Sequence, residues 1–114
     1  MAGPSNVIAL AFAQLTTSVV EIWAAPADND YMVSVRLTNT TGDPILGSLA
    51  VAPTGTAVGS IPAANWSPVD FECEANKPYD LEDLLEIPEG WSIFGRGSAA
   101  GLNARVSGRK KEVS

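Results

Sequence analysis

Hydrophobic and polar residues alternate with a period of two in a series of short stretches, each closed by Gly, Pro, Asn or Asp. A strand with one buried face requires this pattern, because successive side chains point to opposite sides of the pleat. In residues 7–13, Ile8, Leu10 and Phe12 alternate with Val7, Ala9 and Ala11, which predicts a first strand buried mainly on one face. Residues 18–25 predict a second, with Val20 and Ile22 toward the core and Val19, Glu21 and Trp23 on the other side. The run 27–30 is rich in Asp and Asn, residues that accept turn conformations or bond to their own backbone. Residues 31–38 are the clearest strand: Val33, Val35 and Leu37 point one way, and Met32, Ser34, Arg36 and Thr38 the other.

After a second turn cluster at 39–44, residues 46–52 predict a strand with Leu49 and Val51 inward. Residues 53–68, rich in Pro, Gly and Ser, predict a long loop with Trp66 as its anchor. In residues 69–76, Val69, Phe71, Cys73 and Ala75 alternate with Asp70, Glu72, Glu74 and Asn76, giving a strand buried on one face and acidic on the other. Residues 80–87 admit two readings: a helical turn through Leu81, Leu84 and Leu85 capped by Asp80, or a short strand with Leu85 and Ile87 inward and Glu86 outward. Residues 88–90 predict a three-residue hairpin loop ending in Gly, residues 91–98 a strand, and 99–101 a turn. The last strand, 102–107, has Leu102, Ala104 and Val106 inward. About eight short antiparallel strands with turn signals between them predict an all-β fold, a single jelly-roll-like β-sandwich. The domain is expected over 7–108, between a flexible lead-in at 1–6 and a basic tail at 109–114.

Composition narrows the chemistry. The chain has 114 residues, no His and a single Cys, Cys73. A Ser-His-Asp or Cys-His catalytic unit, a His-ligated metal, a zinc knuckle and a disulfide framework are therefore excluded. On its strand face Cys73 reads as a small core residue. Residues 28–30 resemble the opening of a calcium loop, but no Gly follows in register and no Glu closes it. The carboxylates between Asp80 and Glu89 have no spacing that selects a glycosidase pair. The sequence thus predicts no enzyme, no metal and no cofactor.

Net charge is −6, which argues against a nucleic-acid partner. Its distribution is uneven. Residues 70–89 hold eight of the thirteen acids against Lys77 alone, while the last ten residues carry Arg105, Arg109, Lys110 and Lys111 against Glu112. The apolar run 7–13 is too short to span a membrane, and no basic residue precedes Arg36, so a signal peptide is not expected.

The run 16–42, strand, Ala-Pro turn and strand ending Leu37-Thr38-Asn39-Thr40-Thr41-Gly42, resembles small all-β virion proteins of tailed bacteriophages. So does the stretch from Leu84-Leu85-Glu86-Ile87-Pro88-Glu89-Gly90-Trp91-Ser92-Ile93-Phe94-Gly95 to Val106-Ser107-Gly108. The resemblance implies a capsid cement (decoration) protein, made in the host cytoplasm and carried on the virion surface. Its implied partners are the major capsid protein and two further copies of itself in a homotrimer. Related small proteins of the neck, tail or fibre base are an alternative, as is a carbohydrate- or receptor-binding module with Trp23, Trp66 or Trp91 as a platform. The candidate interface comprises Val19 and Trp23 as apolar anchors, Glu72 and Glu74 on the acidic strand, and Arg96, Arg105, Arg109, Lys110 and Lys111 as cations. Gly95 and Gly97 around Arg96 read as positions in a strand whose missing side chains let another backbone or a partner approach.

Overall fold

A computed structural model describes residues 8–26, 30–66, 71–80 and 85–110. Among these residues nine strands form two sheets: β1 (Ile8–Leu15), β2 (Val20–Ala24), β3 (Tyr31–Asn39), β4 (Ile45–Pro53), β5 (Phe71–Cys73), β6 (Pro78–Asp80), β7 (Leu85–Ile87), β8 (Trp91–Gly97) and β9 (Leu102–Lys110). Sheet A runs β1-β9-β3-β6, with β7 also on β3, and sheet B runs β2-β8-β4-β5. All pairings are antiparallel and nested: β1 with β9, β2 with β8, β3 with β6 and β7, β4 with β5. That nesting is one long hairpin whose turn lies between β4 and β5, rolled up so that β9 also meets β3 and β8 also meets β4. It is the jelly-roll arrangement, and it leaves two sheets packed face to face.

The core between the sheets is aliphatic. Leu15, Val33, Val35, Leu37, Ile45, Leu49, Ile87, Ile93, Leu102 and Val106 are all buried, and Tyr31 and the half-buried Trp23 and Trp91 pack at its margin. The Trp23 and Tyr31 rings meet edge to face at 5.1 Å. Small residues let the sheets approach: a Cβ on Gly95 would stand 2.8 Å from Ile22 Cδ1 and 3.1 Å from Leu49 Cδ2. Gly95 therefore admits this chain's own core side chains, and a Cβ on Gly97 would stand 3.0 Å from the Ala99 carbonyl oxygen, a backbone atom of the same chain.

Two β-bulges reverse the parity read from the sequence. One lies between Ala9 and Ala11 where β1 pairs with β9, the other between Glu21 and Trp23 where β2 pairs with β8. An extra residue in one strand turns every later side chain to the opposite face. In β1 it sends Ala11, Ala13 and Leu15 inward, opposite Val106, Ala104 and Leu102, and turns Phe12 outward beside Arg105. In β2 it sets Trp23 opposite the buried Ile93, so Trp23 packs on the core and not on the outer face assigned to it.

Three further expectations are corrected. The 88–90 turn forms, with Gly90 at φ 75° and Trp91 N–H donating to Pro88 O at 3.0 Å. It crosses from sheet A to sheet B, however, so it is no hairpin. The strand predicted over 69–76 ends early, at Cys73, because residues 75–76 turn and Asn76 adopts φ 56°, while Val69 and Asp70 lie outside the described residues. The basic tail begins later than expected: Arg109 and Lys110 belong to β9, opposite Met32 and Tyr31. Of the two readings of 80–87, residues 85–87 take the strand and Asp80 ends β6, while Leu81 and Leu84 lie outside the described residues.

Cys73 is wholly buried, and burial raises its thiol pKa above the ordinary value. Both effects suppress the thiolate that attacks reagents. A maleimide is therefore expected to label the folded protein only as fast as it opens, and Cys73→Ala to cost about 1 kcal/mol in packing. Labelling followed by mass spectrometry, with and without urea, checks the first. Equal rates in both states would contradict it.

Candidate interaction surfaces

The outer side of sheet B is largely covered by its own chain. On β4, Ala50 and Ala52 alternate outward, and Phe94 does the same on β8. The segment after β4 folds back over them through two 3₁₀ turns, Val58–Ser60 and Ala63–Asn65, and lays Ile61 and Trp66 on this second cluster. Asn65 Nδ2 donates to Val51 O at 2.8 Å, and Trp66 bridges to Ala50. Trp66 is thus the loop anchor the sequence suggested. Val19 belongs to the same cluster and is half-buried in it. The Arg96 guanidinium lies 5.1 Å from the Trp66 ring centre, which places that cation on the rim of the cluster.

Sheet A presents its outer side openly. The strand register sets side chains in rows across it. One row reads Phe12 on β1, Arg105 on β9, Arg36 on β3 and Asp80 on β6; the next reads Gln14, Asn103, Thr38 and Pro78. Phe12 is 72% exposed, unusual for a large aromatic on a strand, and Arg105 sits 6.0 Å from its ring. Arg36 makes a bidentate pair with Asp80, Nε to Oδ1 at 2.7 Å and Nη2 to Oδ2 at 3.1 Å. The hydrogen bond from Arg36 holds the Asp80 carboxyl below its ordinary pKa, and Asp80 in turn raises that of Arg36. Two like charges directly opposite in a sheet repel. Asp80 relieves Arg36 of that repulsion, whereas among the described residues Arg105 lies against the Phe12 ring.

These rows floor a shallow depression of about 620 Å³ beside Phe12, Gln14, Arg36, Thr38, Asn103 and Arg105. A smaller one of about 300 Å³ lies over Ser34, Arg36, Asp80, Arg105 and Ser107. Among the described residues no group of three or more His, Cys, Asp or Glu side chains is placed to hold a metal ion, and no helix is long and apolar enough to cross a membrane.

The candidate interface residues do not form one patch. Arg105 belongs to the open face of sheet A, and Arg109 and Lys110 are exposed at the end of the same strand. Val19 and Arg96 lie on sheet B, and Trp23 points to the core. Glu72 is exposed opposite Leu46 on the β5 edge, and Glu74 stands 3.8 Å from Lys77. Lys111 lies outside the described residues. What the pattern did not supply is Phe12, Gln14, Asn103 and Asp80 as a row-wise surface with Arg36 and Arg105. Arg36 and Asn103 were legible as outward positions, but only the register aligns them.

The sequence matches no protein-family model, and neither curated proteins nor solved structures give a significant match to it. The open face of sheet A is therefore read from its own chemistry.

Proposed function

We propose that this chain is a non-enzymatic structural protein of a tailed-bacteriophage virion, a cement protein that binds the outside of the capsid and stabilises it. The observation that carries the reading is the open face of sheet A, where the exposed Phe12 ring and the Arg105 cation stand together on a rigid strand pair. Aromatic and arginine side chains are the residues most enriched at protein–protein contacts, and rigid strands hold them ready. The likeness of residues 16–42 and 84–108 to virion proteins supports the same reading. On this proposal the partner is the major capsid protein, the chain works as a homotrimer, and it is made in the host cytoplasm before joining the virion.

Sedimentation of the purified protein with empty capsids of the phage that encodes it tests the proposal. Binding is expected to saturate at a fixed number of copies per capsid, to raise the temperature at which the capsid opens, and to weaken in high salt, since exposed charges are screened over about 8–10 Å at ordinary ionic strength. Absence of saturable binding would overturn it. The depression beside Phe12, with the amides of Gln14 and Asn103 on its floor, favours a second reading as a carbohydrate-binding module. Trp23, Trp66 and Trp91 supply no platform for that reading, since each is half-buried within its own chain. A glycan array separates the two.

A further inference from the structure

Charge is unevenly spread over the open face of sheet A. The outward positions of β3 and β9 carry Arg36, Arg105 and Arg109, three of the seven basic residues in a chain of net charge −6. Arg109 shares a row with Met32 and Glu86, so one acid offsets one base there. Arg36 and Arg105 stand directly opposite each other with Asp80 as the acid of their row, which leaves one positive charge in excess. Ser34 and Ser107 face each other in the row between these two. Ser34, Arg36, Asp80, Arg105 and Ser107 together line the depression of about 300 Å³. Both guanidiniums have donors to offer it. Asp80 occupies Nε and Nη2 of Arg36, which fixes the plane of the group and leaves both N–H bonds of Nη1. Arg105 lies over the Phe12 ring at 6.0 Å, and a guanidinium on an aromatic face keeps its N–H bonds at its own edge.

We propose that this depression seats a single carboxylate of a partner protein, an Asp or Glu side chain held by Arg105 and Arg36 beside the two serine hydroxyls, with an apolar neighbour of that acid against Phe12. Charge is the first argument. One positive charge in excess matches one carboxylate, whereas a phosphate monoester brings about 1.5 to 2 negative charges and sets them against Asp80. Donor geometry is the second. The edge of a guanidinium presents paired N–H bonds that fit the two oxygens of a carboxylate, and Arg105 makes no ion pair among the described residues to compete for them. Shape is the third. Sites for small molecules are clefts that enclose most of the ligand, while this depression lies shallow on a row of strands. It suits a group presented on the surface of a larger molecule, with the exposed Phe12 at its margin to take the apolar part of the contact. The inference rests on the reading of this face as a protein contact, and adds the chemistry that the partner must bring to it.

Titration of the protein with a tetraglutamate peptide, followed through the arginine Nε–H resonances, tests the site without the capsid. The Arg105 and Arg36 resonances are expected to shift and saturate, that of Arg96 on sheet B to stay, and a tetraglutamine peptide to move none of them. Arg105→Gln is expected to weaken peptide binding about tenfold or more with the circular dichroism unchanged, since Arg105 is exposed. Arg105→Lys is expected to recover only part of that loss, because lysine keeps the charge and loses the fork. Inorganic phosphate and a glucuronate oligosaccharide are expected to bind more weakly than the peptide at the same ionic strength. A shift at Arg105 no larger than at Arg96 would overturn the site. Tighter binding of phosphate or of the glucuronate would overturn its assignment to a protein carboxylate. Capsid sedimentation separates the two proposals. Undiminished capsid binding by Arg105→Glu would overturn this inference and leave the virion reading standing, whereas peptide binding at Arg105 without capsid binding would overturn the virion reading and leave the site.

Discussion

Gly108→Ala is expected to damage the fold more than any other single added methyl. Gly108 sits in β9 opposite Val33, in the centre of sheet A, and is itself buried. A Cβ built there meets the carbonyl oxygen of Met32, and stands 2.8 Å from Val33 Cα and 2.8 Å from Val33 Cγ1. The first two are backbone atoms of the paired strand and cannot rotate aside. The strands must separate instead, which breaks ladder bonds along the β3–β9 pair that holds the sheet together. Gly95→Ala is the control. Its Cβ also comes within 2.8 Å of a neighbour, but that neighbour is Ile22 Cδ1, the far end of a side chain with other rotamers. Overpacking a core costs roughly 1–3 kcal/mol, occasionally more. Gly95→Ala is expected at the low end, and Gly108→Ala at or beyond the high end. In urea, the Gly108 variant is expected to unfold at a far lower midpoint than the Gly95 variant. The reverse order would mean that strand pairing at Gly108 is looser than the register implies.

Those two glycines illustrate what a single sequence transmits and what it does not. Alternation in 31–38 and 102–107 located β3 and β9 and their inward faces, because both are long and pair without irregularity over that span. It failed at Phe12 and Trp23 for one reason. A bulge adds a residue to one strand only, and the pattern within that strand carries no mark of what lies opposite. Val19 shows a second limit. Its outward apolar side chain read as an interface anchor, but here the 54–66 segment supplies the cover, and although Trp66 marked that loop's anchor, nothing in the sequence said which strand face it would lie on. The Arg36–Asp80 pair shows a third, since its members are 44 positions apart and meet only once β6 lies beside β3. Length and turn chemistry nevertheless gave the number of strands closely enough to reach the sandwich. The nested pairing that makes it a jelly roll came from contacts between the two ends of the chain.

Asn39→Ala is expected to destabilise the protein by about 3 kcal/mol, for reasons the sequence disguised as a turn. Asn39 closes β3 and is wholly buried. Its amide nitrogen donates to Asp43 O at 2.7 Å and to Cys73 O at 3.0 Å; its oxygen accepts from Thr41 N–H at 2.9 Å, with the Thr41 hydroxyl 2.8 Å away. One side chain thereby ties the end of sheet A to β5 in sheet B and shapes the 40–44 turn that carries the chain between the sheets. Alanine removes those bonds and leaves the Thr41 amide and the Cys73 carbonyl to find other partners in a site with little water. Leaving a buried polar group unpaired costs about 1–3 kcal/mol, and more than one is affected here. In a domain whose total stability is on the order of 5–15 kcal/mol, that lowers the melting temperature by roughly 10 °C. Asn39→Asp separates hydrogen bonding from volume. It keeps the acceptor for Thr41 but turns two donors into acceptors facing carbonyl oxygens, so at neutral pH it should be at least as damaging as alanine. Protonating the new carboxyl restores one donor, so its deficit relative to Asn39→Ala should shrink as pH falls toward 4. Thermal melts of both variants at pH 7 and pH 4 check this. Equal melting temperatures for wild type and Asn39→Ala would mean that the corner is held by the backbone bonds from Asn76 N–H to Thr41 O and from Thr40 N–H to Gly101 O, without need of the side chain.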